Sequence, residues 1–131
     1  MKALWPLGFF LAAFSGAAAT NPAWQFVLVE RSSDLNTRSG TGELVIHKGK
    51  ISGTLTSQGG VPYSLSGSVK DGRVSVVFGA IESDSGGTKM IGTFRQSTMP
   101  SVGGSECWQT IQLSDGFSSV SLARNVPSCE P

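Results

Sequence analysis

After residue 20 the chain alternates between apolar and polar positions almost without interruption. Tyr63, Leu65, Gly67 and Val69 are interleaved with Ser64, Ser66 and Ser68, a period of two that marks a strand with one buried face. The same period groups Trp24, Phe26 and Leu28, then Leu44 and Ile46, then Ile51, Gly53 and Leu55. It continues through Val74, Val76, Phe78 and Ala80, and through Met90, Gly92 and Phe94. Two further runs, Cys107 to Leu113 and Phe117 to Leu122, complete a set of eight expected strands, although their facing is ambiguous. Lys48-Gly49, Asp71-Gly72 and Asp115-Gly116 sit between apolar runs and predict tight hairpins, because glycine accepts positive φ. Longer loops are expected at 31–42, 58–62, 83–88 and 97–105. Eight strands joined in sequence by hairpins form a meander. In so short a chain, closure is the simplest way to remove exposed edges. The expected fold is all-β, an eight-stranded antiparallel up-and-down β-barrel.

Three units share one arrangement, apolar-x-Gly-x-apolar: Ile51 to Leu55, Leu65 to Val69 and Met90 to Phe94. Each glycine has the parity of the apolar positions and therefore points inward. There it lets a strand bend and leaves room for a large side chain opposite. Trp24, Phe26, Tyr63, Phe78 and Phe94 are the candidates to fill that room.

The first residues change the picture of where the protein works. Lys2, an apolar run from Ala3 to Phe14 and the small residues Ala17-Ala18-Ala19 have the order of a secretory signal peptide. The run is too short for a spanning helix, which takes about 20 apolar residues. Residues 1–19 are therefore expected to be a leader, and residues 20–131 a single exported domain, periplasmic or extracellular, with no membrane insertion after cleavage. Removing Lys2 from the ten Lys and Arg leaves nine, which balance nine Asp and Glu. The nine are scattered along the chain without a run, which argues against a nucleic-acid partner. Cys107 and Cys129 are the only cysteines, and in an oxidising compartment the pair reads as a disulfide.

Gly49-Lys50-Ile51-Ser52-Gly53-Thr54-Leu55, followed by Tyr63 to Val69, Val74 to Phe78 and Met90 to Phe94, resembles the successive strands of the avidins and streptavidin. The resemblance covers about residues 43 to 113. It implies a calycin-type barrel open to a small ligand at one end, and it places Trp108 in a strand where that family often carries a binding tryptophan. The biotin-site residues are not matched: Phe26 stands two positions after Trp24 where the family has a polar residue, and Phe78 and Met90 take the places of its other aromatic walls. In size, export and cysteine count the chain is also similar to small periplasmic protease inhibitors with calycin-like barrels.

Catalytic chemistry has little to stand on. His47 is the sole histidine, its parity turns it outward, and no G-x-S-x-G elbow accompanies it. Glu82 and Asp84 offer too few oxygens for calcium, which takes six to eight. The expectation is a non-enzyme with no metal and no cofactor. It would bind a small, partly apolar ligand through Trp24, Tyr63, Phe78 and Trp108. The alternative is a module that binds an exported protein through the polar 31–42 loop.

Overall fold

The computed structural model describes residues 22–30, 36–82 and 86–129, so the expected leader lies outside the described residues. Eight strands follow in order: β1 (Trp24–Glu30), β2 (Asn36–His47), β3 (Lys50–Ser57), β4 (Pro62–Lys70), β5 (Arg73–Ala80), β6 (Thr88–Ser101), β7 (Gly104–Ser114) and β8 (Ser118–Val126). Each pairs antiparallel with the next, and β8 returns to β1 through Gln25↔Ala123 to Glu30↔Ser118. The barrel is closed, as the alternation predicts. The chain enters β1 at one rim, called here the lower, which also carries the 47–50, 70–73 and 101–104 turns. The upper rim carries the connections after β1, β3, β5 and β7.

Tight turns form where the sequence places Lys48-Gly49 and Asp71-Gly72. Both residues of each pair have positive φ (51° and 78°, 52° and 79°), the type I′ geometry whose twist matches the strands it joins. The third expected turn is longer than a two-residue hairpin. Phe117 belongs to the connection and not to β8, and it is exposed. There the Asp115 carboxylate accepts the N–H groups of Phe117 (2.7 Å) and Ser118 (2.6 Å). Those bonds, the one from Ser118 foremost, hold its pKa below the ordinary carboxylate value. A depressed folded-state pKa contributes stability above the unfolded value and loses it as pH falls through the folded one. Thermal melts carried down through about pH 4 into the acid range should therefore show a small acid-linked loss that Asp115→Asn reduces.

The inward glycines are more numerous than the three predicted, and the register explains all of them. Gly42 lies between Trp24 and Leu55, Gly53 between Leu44 and Leu65, Gly67 between Ile51 and Val76, and Gly92 between Val74 and Leu113. Gly40 lies between Phe26 and Ser57. Every one is flanked by side chains of neighbouring strands that point to the axis, and a Cβ on any of them would collide with the adjacent strand's backbone. The glycines thus serve both closure and packing: strands approach where side chains are absent, and large residues interlock between them. Trp24, Phe26, Ile51, Leu55, Leu65, Ile111, Val120 and Leu122 are among the most deeply buried core residues.

Two expected loops are largely strand. Asn36 to Gly42 belongs to β2, in which Gly40 and Gly42 continue the inward parity of Leu44. Residues 31–35 lie outside the described residues, and the remaining part of the contact loop expected at 31–42 is strand. Residues 97–105 form the ends of β6 and β7, joined at Val102-Gly103. β5 accompanies β6 only as far as Arg73↔Thr93, and β8 meets β7 no further out than Val126↔Cys107. The two strands therefore run on past the lower rim as a two-stranded arm. The Phe94 N–H donates to the Gly72 carbonyl, so even-numbered residues of β6 turn their backbone groups to the open edge. Pro100 falls there, where its missing N–H leaves nothing unsatisfied and blunts the edge against further strand pairing. Cys107 and Cys129 are bonded, with Cα atoms 5.0 Å apart, which ties the tail after β8 to the root of this arm and suits an oxidising compartment.

Candidate functional site at the upper mouth

Strand alternation delivers Leu28 from β1, Tyr63 from β4, Phe78 from β5 and Met90 from β6 to the inside of the upper rim, all buried. With Arg38, Glu30, Ser118 and Asp115 they line a cavity of about 260 Å³. The Tyr63 and Phe78 rings stack with centroids 5.3 Å apart and planes 7° from parallel, and Phe26 meets Tyr63 edge-on at 6.1 Å. Such pairs fix ring orientation and add stability beyond the area they bury. They form a rigid apolar wall.

The polar side is as ordered. Arg38 shares the inward parity of Gly40 and Gly42, and its Nη1 donates to the Tyr63 hydroxyl at 2.9 Å. This bond, followed by the charge interaction with Tyr63 and the nearby Glu30, holds the guanidinium pKa above its ordinary value. An apolar wall with one cation, one phenol and carboxylates at the edge is the composition of a site that grips a small, partly apolar molecule by one polar end. The lining contains no histidine or cysteine, and its one serine, Ser118, gives its backbone N–H to the Asp115 carboxylate.

Of the four ligand residues expected from sequence, the structure brings Tyr63 and Phe78 together. Trp24 belongs to the other end of the barrel. It is fully buried near the lower rim, with the Arg124 guanidinium 4.8 Å from its ring centroid. Arg124 Nε donates to Gln109 Oε1 (2.6 Å), and Gln109 Nε2 donates to Gln96 Oε1 (2.8 Å). These inward polar residues broke the apolar alternation that would have shown which way β7 and β8 face. Burial of Arg124 lowers its pKa. Trp108, adjacent to Cys107, points outward on β7 and is 40% exposed, so it cannot share a cavity with Tyr63. Arg38, Leu28 and Met90 were missed as site residues. Met90 was legible from its parity with Gly92, and Arg38 only if β2 had been extended back through Gly40. His47 is exposed, and among the described residues no three of His, Cys, Asp and Glu gather as a metal site would require.

The fold and mouth together define a closed, up-and-down β-barrel with a small lined opening at its upper rim. Comparison with known protein families, with curated proteins and with solved structures finds no match.

Proposed function

We propose that the protein is an exported, non-enzymatic binding barrel of the avidin-like, calycin type, holding a small, partly apolar ligand at its upper mouth. The observation that carries this reading is the stacked Tyr63–Phe78 wall facing a lined cavity of about 260 Å³, with Arg38 held over the phenol oxygen. That volume suits a ligand of modest size, just below the usual range of about 300–1,000 Å³ for drug-sized molecules. A planar ring extends the aromatic stack, and an acceptor group on the ring takes the free N–H groups of Arg38. The leader-like N-terminus and the disulfide support export, and the order of Gly-bearing strands supports the calycin type.

Native mass spectrometry of the protein purified from its exporting host tests the reading. A co-purifying small adduct is expected. Ser118→Trp, which places a large ring in the mouth from the first residue of β8, should remove the adduct while leaving the melting temperature nearly unchanged. An adduct that survives this substitution locates binding elsewhere. The absence of any adduct, together with failure of ring-bearing carboxylates to bind the refolded chain, overturns the proposal.

A further inference from the structure

The cations that look scattered in sequence are gathered by the topology. The 47–50 and 70–73 turns lie side by side at the lower rim, where the Val69 N–H donates to the Gly49 carbonyl and the Phe94 N–H of β6 to that of Gly72. Lys48, Lys50, Lys70, Arg73 and Arg95 are all exposed at this end. Asp71 is the acid among them, with Glu106 on the arm and Glu43 further up β2. The upper rim carries Glu30, Glu82 and Asp115 against Arg38 and Lys89. Among the described residues the lower end therefore carries an excess of cations and the upper rim a slight excess of acids. Between Lys70 and Arg73, on the outer face, runs a groove of about 990 Å³ with the hydroxyl-bearing Ser68, Ser75 and Thr93 along it.

The arm leaves the barrel at this same rim. Val102 at its tip is wholly exposed, Met99 is 45% exposed, and Trp108 stands on the outer face between tip and barrel. Exposed apolar residues also occur at the upper rim, in Phe117 and Ile81, where among the described residues Arg38 and Lys89 stand with three acids. Apolar groups at a projecting tip, an amphipathic indole behind them and a cluster of lysine and arginine on the β2–β6 side behind that follow the order of a lipid–water interface read outward.

We propose that the lower rim docks peripherally on an anionic lipid surface: the 99–102 tip seats among the headgroups, Trp108 lies at the interface, and lipid phosphates meet Lys70 and Arg73. Docking of this kind spans nothing. It turns the upper mouth away from the bilayer and toward the soluble phase, and it does not depend on what the mouth binds.

Residues 20–131 contain two tryptophans, Trp24 and Trp108, and Trp24 is fully buried, so a change in emission on mixing with vesicles reports Trp108. The mature chain is expected to co-sediment with vesicles of phosphatidylglycerol and phosphatidylcholine, with a blue-shifted emission, and to stay in solution with phosphatidylcholine alone. Lys70→Gln combined with Arg73→Gln should weaken partitioning about thirtyfold, as expected for two lost surface cations, and added salt should do likewise. Val102→Asp should abolish the blue shift in a protein whose melting temperature is unchanged, since no neighbour packs on the tip. Equal partitioning onto both vesicle types, no partitioning onto either, or binding of free glycerol phosphate as tight as that of vesicles would each overturn the proposal. The last result would mark the groove as a site for a soluble anion.

Discussion

Gly92→Val is expected to cost more than about 3 kcal/mol and to leave little soluble protein, beyond the usual range for overpacking a core. Gly92 pairs with Val74 on one side and Leu113 on the other. A Cβ there would be driven into the Gln112 carbonyl and would lie 3.0 Å from the Leu113 Cα. Both obstacles are backbone, so no rotamer change relieves them. The only escape is to part β6 from β7, which carry the arm and the disulfide. Gly103→Val supplies the control, since no atom lies within 4 Å of a Cβ at the arm's tip. Urea unfolding of the two variants should separate them clearly. A Gly92→Val protein with a wild-type midpoint would mean that the strands do not approach each other as described.

The second large effect concerns the tail. The bridge between Cys107 and Cys129 joins residues 22 apart. In the chain-entropy model, opening such a loop costs about 3 kcal/mol. For a domain of this size that corresponds to a melting temperature lower by on the order of 10 °C. Cys107→Ser and Cys129→Ser should fall by similar amounts, and the double variant should be little worse than either, because each single change already opens the same loop. Beyond Val126 the chain leaves β8 and is tied back covalently at Cys129, so loss of the bridge should loosen it first. Hydrogen exchange would show that loss of protection spreading from the tail into the outer ends of β7 and β8. Quantitative thiol labelling of unreduced protein from its native source would rule the bridge out.

The physical reasons for what was legible in the sequence differ from one feature to another. Alternation is local, so β1, β4 and β5 could be read directly from runs such as Tyr63 to Val69. The glycines at 53, 67 and 92 announced themselves because apolar residues flank them. Gly40 and Gly42 follow the same rule, but they are set among Ser39, Thr41 and Glu43, where nothing apolar marks the strand, and so the start of β2 looked like loop. The arm escaped notice for a related reason. A two-stranded ribbon outside the barrel has no buried face, and its sequence from Ser97 to Ser105 therefore carries no hydrophobic period. Trp108 entered the expected site through the resemblance, on a strand whose facing the sequence leaves ambiguous. Its neighbour Cys107 is the residue with inward parity, and in β7 the polar Gln109 keeps that parity where the lower rim opens to solvent. The mouth and the cationic cluster depend on topology as well as parity. Arg38 meets Tyr63, and Lys50 stands diagonal to Lys70, only once the strands are known to run alternately up and down.

Methionine methyl resonances offer the most direct test of ligand binding at the upper mouth. Residues 20–131 contain two methionines, Met90 and Met99. Met90 is buried in the wall of the mouth, and Met99 is half-exposed on the arm at the far end. In protein labelled with ¹³C at the methionine methyls, small aromatic carboxylates should shift the Met90 signal in a saturable way, leave Met99 unmoved, and lose their effect in Ser118→Trp. Shifts confined to Met99, or none at Met90 from any ring-bearing compound, would contradict a binding site between Tyr63, Phe78 and Arg38.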